Sequence, residues 1–389
     1  MSKVAYGVIG GVYRKFKKSY GIVDGVSRKI KKAYSIIGGV ARPCWAGGGT
    51  LAYYGTTTNG LRSARNYLAA ASNGTYALFG GGSTADPYDP PFNTVDAYNE
   101  KLTRSSPTGL YKAVDRATGG HIGDYAIIAS GSTEDGSTPV FNFYNKSLTR
   151  TYKSGSQHSD GRSTNIGDYA LFGGGEDFYW DDDIEGWEWY INSTISCVNS
   201  SCSIVYCDLR YERIAHAATT VGGYALFGGG YGNEDEEGVR PQWTRIEGVD
   251  SSLTVDNTVH YLSQARCYLS ATTIGDYALF AGGEDEETSE DFNIVEAYNS
   301  SLTRTIITPL SVARCDMLAT TIRVDDTECA VFMGGSPNPT TVDAYDTSLT
   351  RTSPIALPRN RYDSHAITTI GRYALVGGGT TVVDAFTLV

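Results

Sequence analysis

The sequence predicts an all-β fold of seven stacked repeats closed into a ring, and three observations carry that expectation. The first is a phrase that occurs seven times: YALFGGG from Tyr76, YAIIASG from Tyr125, YALFGGG from Tyr169 and Tyr224, YALFAGG from Tyr277, CAVFMGG from Cys329 and YALVGGG from Tyr373. Its copies are 49, 44, 55, 53, 52 and 44 residues apart, and a period near fifty marks a supersecondary unit that must stack on its neighbours to bury its faces. The second is composition: 46 Gly and 28 Tyr, frequent Thr and Val, and no sustained 3.6-residue apolar period, which favours strands over helices. The third lies at the two ends of the repeat array. The last repeat finishes VVDAFTLV without the LTRT segment of the others, while TLAYYGT at 50–56 stands unpaired before the first.

Charge divides the chain at the same place. The net charge is -11, but residues 1–49 carry ten Lys/Arg and one acid, Asp24, leaving -20 on the remainder. Two domains are therefore expected: a basic arm over 1–49 and a ring over 50–389. The arm repeats in steps of 14, as VIGGVYRKFKKSY from Val8, IVDGVSRKIKKAY from Ile22 and IIGGVARPCW from Ile36. Each copy sets apolar residues before a Gly-Gly or Asp-Gly pair and follows it with an alternating basic run, the pattern of a tight hairpin. Such short ribbons are marginal alone in water. A solubilising tail, a nucleic-acid arm and a docking peptide for an acidic protein surface compete here. Regular Val, Ile, Phe and Tyr argue against the first, and sparse charge with hairpin turns against the second. Docking on protein is preferred, through Arg14, Lys15, Lys17, Lys18, Arg28, Lys29, Lys31 and Lys32.

Within each repeat four strands are expected. Strand a precedes a tight turn (YLSATTIGDY), strand b is YALFGGG, strand c is VDAY and strand d is LTRT. The small and aromatic residues of strand b suit an inner strand packed on both faces, and the glycines after it suit a chain leaving where larger residues would clash. Leu51–Thr56 is read as the missing fourth strand of the seventh repeat, so that the two ends of the array seal the ring and remove its open edge. Recurrent acids on strand c are expected to face the LTRT arginine directly: Asp96 opposite Arg104, Glu296 opposite Arg304, Asp343 opposite Arg351, with Asn142 opposite Arg150 and Ser196 opposite Ile204. Arg65, Arg213 and Arg266, with Arg116, Arg162, Arg314 and Arg361 at looser offsets, mark the approach to strand a as scaffold residues.

These repeats resemble kelch-type β-propeller blades across 50–389. The stretch LPRNRYDSHAITTIGRYALVGGG at 357–379 shows the Arg, His, aromatic and double Gly, although LTRT stands where such blades carry a Trp. The resemblance implies a seven-bladed propeller and little about activity. The tandem phrase GVxRKhKKxY before GGVARPCW resembles N-terminal attachment repeats on virion proteins of phages that infect Firmicutes. It implies a virion protein, made in the bacterial host cytoplasm and present in several copies per particle, whose arm docks on a tail, baseplate or capsid protein.

Function should lie where the repeats differ. The b–c loops at 176–192, 231–245 and 284–293 hold 17 acids and four of the five Trp. Exposed aromatics on long loops over a rigid scaffold are costly unless they contact something. A host-surface glycan is one candidate partner, another protein a second, with Trp180, Trp187, Trp189, Tyr190, Trp243, Asp181, Asp182 and Asp183 as contact residues. Aromatics folded back over the blades are an equally weighted alternative.

No D-x-D-x-D-G run offers a calcium loop. The seven scattered Cys, of which Cys202 replaces a Leu and Cys197 an Ala, read as free thiols. No P-loop, nucleophile elbow or HExxH occurs, GSTEDGSTPVF at 131–141 departs from the sialidase Asp-box in spacing, and five His do not make a copper-radical site. No catalytic residue, metal or cofactor is expected. A purely architectural protein and a glycan-cleaving enzyme remain as alternatives to adhesion. No apolar run reaches membrane-spanning length, and nucleic acid is not an expected partner.

Overall fold

The computed structural model describes residues 5–389 except 10–11, 17–19, 24–25, 30–31, 38–39, 47–48, 87–88, 182–184, 236–237, 257, 259 and 363–364; over 5–46, 179–181 and 187 the backbone alone is described. The described residues contain strands and no helix. Seven four-stranded antiparallel sheets each run a-b-c-d outward from the centre. The inner a strands are Ala69–Ser72, Thr118–Ile122, Arg162–Ile166, Ala217–Val221, Ser270–Ile274, Leu318–Val324 and Ala366–Ile370. The chain is a seven-bladed β-propeller. Its seventh blade takes Thr380–Leu388 as strand c and Leu51–Thr56 as strand d, with Phe386 opposite Tyr53 and Leu388 opposite Leu51. Backbone bonds between Thr50 and Val389, at 3.3 and 3.0 Å, complete the seal.

Strand b packs as its sequence requires. Ala77, Leu78 and Phe79 are fully buried, and Leu78 meets Ile128 and Tyr144 of the next blade in one apolar cluster. The glycines that end the strand are needed at two places. Gly81 and Gly82 have φ of 71° and 96°, and a Cβ on either would lie 2.5 Å from a backbone oxygen, that of Val114 or Asn66. At the opposite end of strand a, threonines of successive blades bond around the channel: Thr164 to Thr220 at 2.7 Å, Thr219 to Thr273 at 2.8 Å and Thr272 to Thr321 at 2.9 Å.

The c–d hairpins differ from the expected register. Arg104 lies opposite Tyr98, not Asp96, and Arg150, Arg304 and Arg351 likewise face Tyr144, Tyr298 and Tyr345. Ile204 faces Val198, not Ser196. The turn is the cause. Asn99 Oδ1 accepts the backbone amides of Lys101 and Thr103 at 3.0 and 3.2 Å, and Leu102 sits buried at φ 59°. This side-chain-closed loop ends the ladder at Tyr98, two residues short of the acid. The arginines reach the acids only diagonally, at 3.8 Å for Arg104–Asp96 and 3.4 Å for Arg304–Glu296 and Arg351–Asp343.

The strand-c acid instead belongs to a buried arginine from the approach to strand a. Arg65–Asp96 (3.0 Å), Arg266–Glu296 (2.7 Å), Arg314–Asp343 (2.8 Å), Arg361–Asp384 (2.5 Å) and Arg213–Glu247 form five such pairs, with every arginine at most 1% exposed. The other two blades lack the acid and also lack the arginine. Blade two has Val114 with Asn142, and blade three has His158 with Ser196, bonded at 2.9 Å. A buried charge without a partner is costly, so the two positions change together. Arg116 and Arg162 stand outside this set, two and four residues beyond the equivalent positions.

In the arm, Ala5–Ile9 pairs with Val12–Phe16, Tyr20–Val23 with Val26–Lys29, and Lys32–Ile37 with Val40–Ala46. Ile9 faces Val12, Val23 faces Val26 and Ile37 faces Val40. Arg14, Lys15, Arg28, Lys29 and Lys32 fall on these strands; Lys17, Lys18 and Lys31 lie outside the described residues.

Candidate functional site on the b–c loop face

Antiparallel connectivity gathers the b–c loops and the approaches to strand a at one end of the ring. The blade-three loop there folds into its own pair of strands, Glu176–Asp181 and Gly186–Ile191. Its register sets Phe178 opposite Trp189 and Trp180 opposite Trp187. Aromatic cross-strand pairs hold such ribbons together. The Phe178 and Trp189 rings stack with centroids 5.1 Å apart.

Neighbouring blades brace this hairpin on both sides. Phe178 N donates to Ser137 Oγ of the blade-two loop at 3.2 Å. Ile191 donates its amide to Asn233 Oδ1 at 2.7 Å, and Asn233 Nδ2 donates back to the Ile191 carbonyl at 2.9 Å. Tyr190 donates its hydroxyl to the buried Asp177 carboxylate at 3.0 Å, and burial pushes the Asp177 pKa upward.

Between this hairpin and the blade-four loop lies a cleft of about 570 Å3. Trp189 and Tyr190 stand on its rim, 60% and 45% exposed. Glu188, Asn233, Glu234 and Arg240 supply its polar wall and Ile214 and Tyr231 its apolar one. Arg240 lies 5.3 Å from the Tyr231 ring centroid, a cation–π distance.

Glu176 joins the cleft to the mouth of the central channel. Around that mouth, Tyr67, Arg116, Asp160, Ala215, Tyr268 and Asp316 occupy one repeated position with φ of 51–54°. Backbone bonds link them from blade to blade, Arg116 N to Tyr67 O and Asp160 N to Arg116 O at 2.9 Å, Tyr268 N to Ala215 O at 2.7 Å. The backbone repeats while the side chains do not. Arg116 lies 3.1 Å from Asp160 and 3.6 Å from Glu176, and 5.2 Å from the Tyr67 ring centroid. Burial first, and the Asp160 charge second, push the Glu176 pKa up to about 7 against the pull of Arg116 and Arg240. Glu176 thus stands beside the Arg116 guanidinium where cleft and mouth meet.

Of the eight expected contact residues, the side chains of three are described: Trp189, Tyr190 and Trp243. Trp189 and Tyr190 line the cleft. Trp180, Asp181 and Trp187 lie on the hairpin backbone, and Asp182 and Asp183 are outside the described residues. Trp243 is folded back: its ring packs 5.0 Å from Tyr211 and its Nε1 donates to the Glu212 carbonyl at 3.1 Å. The mouth residues Tyr67, Arg116, Asp160 and Tyr268 were absent from the expected set. A constant spacing could have found them, since each lies nine residues before its strand-b Tyr.

No protein-family model matches the chain, and no curated protein sequence is significantly similar to it. The class the structure defines is the seven-bladed β-propeller with an asymmetric loop face. Among the described residues no helix is long and apolar enough to cross a membrane.

Proposed function

We propose that this chain is a phage virion protein that docks through residues 1–49 on another virion protein and displays its propeller to bind host-surface glycan at the b–c loop face. The observation that carries the glycan reading is the rim formed by Trp189 and Tyr190 above Glu188, Asn233, Glu234 and Arg240. Flat aromatic surfaces cover the apolar faces of sugar rings, while carboxylate, amide and guanidinium groups bond the hydroxyls. Kelch character, virion origin and docking rest on the sequence resemblances and on the basic, hairpin-forming arm.

Two experiments test the two halves. Residues 50–389 should be retained on purified host cell-wall polysaccharide, and Trp189→Ala should weaken retention at least tenfold without shifting the melting temperature. Equal retention of wild type and Trp189→Ala, with Glu188→Gln and Arg240→Ala also unchanged, would remove the cleft from the proposal. The full chain should bind purified virion structural proteins, and residues 50–389 should not. Equal binding by both would refute docking through the arm.

Turnover is the second reading, favoured by Glu176, whose elevated pKa suits a general acid. Release of soluble saccharide by the full chain, abolished in Glu176→Gln, would replace adhesion by cleavage.

A further inference from the structure

We propose that Glu284, Asp291 and Cys315, flanked by Cys267 and Glu286, bind one thiophilic divalent cation of the Zn2+ class where blades five and six meet on the b–c loop face. Cys267 and Cys315 occupy the same repeat position in adjacent blades, 0% and 3% exposed. Glu284 is fixed against Cys267 by reciprocal backbone bonds of 2.9 and 3.0 Å, and its backbone also bridges to Asp291. Rigid backbone therefore presents these donors.

Their spacing is that of a metal site. Cys315 Sγ lies 3.3 Å from Glu284 Oε2, and Cys267 Sγ lies 3.4 Å from Glu286 Oε2. Two donor triads, Cys267 with Glu284 and Glu286, and Cys315 with Glu284 and Asp291, each fall within 4.8 Å and share Glu284. Zn–S bonds of about 2.3 Å and Zn–O bonds of about 2.0–2.2 Å put sulfur and oxygen about 3.5 Å apart on a tetrahedral edge.

Thiol-to-carboxylate hydrogen bonds alone would account for the two short contacts but not for the remaining group. Asp291 Oδ1 is buried without any hydrogen-bond partner. Among the described residues none of Glu284, Glu286 and Asp291 is ion-paired with Arg or Lys. The Arg240 charge reaches Glu286 only at longer range, so no cation directly contacts the three carboxylates beside these buried thiols among the described residues. Burial and the adjacent carboxylates push both thiol pKa values upward, so cation binding would displace protons from sulfur. A thiolate donor selects a borderline-soft ion over Ca2+ or Mg2+.

The test is titration of the reduced, metal-stripped full chain with Zn2+ by calorimetry, and with Co2+ followed by absorption. The proposal expects one Zn2+ per chain with proton release, and a thiolate-to-cobalt charge-transfer band. Cys267→Ser/Cys315→Ser should abolish the band and weaken Zn2+ at least a hundredfold. Asp291→Asn should weaken it about tenfold, and Cys197→Ser/Cys207→Ser should change neither. Serine suits the fold, since blade three has Ser159 at this position; should the double variant still melt early, the Asp291→Asn chain decides. No Zn2+ uptake at about 0.1 mM, or an unchanged stoichiometry and cobalt spectrum in the Cys267→Ser/Cys315→Ser chain, overturns the proposal.

Discussion

The buried Arg314–Asp343 pair can be replaced by a solution the protein already contains. Arg314 places Nη1 2.8 Å from Asp343 and donates Nε to the Gly334 carbonyl at 2.9 Å and Nη2 to the Phe332 carbonyl at 3.3 Å. Asp343 also accepts Ser311 Oγ and Ser353 Oγ at 3.0 and 3.1 Å. In Asp343→Asn the guanidinium keeps its carbonyls but loses its countercharge, which costs about 3–5 kcal/mol for a buried pair. Arg314→Val leaves Asp343 with its two serine hydroxyls but only the part-exposed Arg351, 3.4 Å away, as countercharge, and removes the guanidinium from two carbonyls, again about 3 kcal/mol. The double variant installs the Val114 and Asn142 of blade two. Its cost should fall below the sum of the singles by about 1–3 kcal/mol, the range of coupling for residues in contact. With an unfolding entropy of ~0.8 kcal/mol/K for a chain of this length, each single lowers the melting temperature by about 4–6 °C. Urea midpoints at unchanged m give the free energies. A cycle additive to within about 0.5 kcal/mol would refute the claim that these positions are chosen together.

Three further outcomes follow from the same structure. His158 is fully buried, its Nε2 2.9 Å from Ser196 Oγ and its Nδ1 3.0 Å from the Gly174 carbonyl, so neutral imidazole donates from Nδ1 and accepts at Nε2; burial drives its pKa down to about 4. A depressed folded pKa gives stability that is present above about pH 6.5 and lost as pH falls toward 4, about 3 kcal/mol for His158. His158→Gln should flatten the stability profile across that window, and an unchanged slope would refute the assignment. Removal of residues 1–56 takes away the closing strand, whereas removal of 1–49 spares it; the first should melt well below the second, and equal melting temperatures would show that closure by Leu51–Thr56 is dispensable. Trp243→Ala should destabilise by about 1–3 kcal/mol because the ring is packed, in contrast to Trp189→Ala; equal stabilities on urea unfolding would contradict the folded-back placement.

What could be read in the sequence was what the seven copies share. The strand-b phrase, the glycines after it and the loss of LTRT from the last repeat each recur or fail in register, so blade number and closure were legible down to Leu51–Thr56. Hairpin register was legible only in part. The expected pairing of Asp96 with Arg104 needs a shorter turn, whereas Asn99 Oδ1 holds an extra stretch of chain through Thr103 and moves Arg104 from Asp96 to Tyr98. Nothing local in VDAYNEKLTR distinguishes those two registers.

The site was hidden by the same repetition that revealed the fold. Grouping arginines by residue type placed Arg116 with Arg65, but Arg65 lies eleven residues before its strand-b Tyr and Arg116 nine. Those two residues separate a buried ion-pair position from the lining of the channel mouth. Counted from the strand-b Tyr, Val114, His158, Arg213 and Arg266 fall in with Arg65, while Asp160, Ala215 and Tyr268 fall in with Arg116 and with Tyr67. The first set varies only with its strand-c partner, as packing demands. The second varies in residue type over a backbone fixed at φ near 52°, from the charged Arg116 and Asp160 to the buried Ala215. A position conserved in backbone but free in side chain is where a ring of copies can acquire an asymmetric site, and Glu176, drawn by Arg116 between mouth and cleft, makes those two openings one surface.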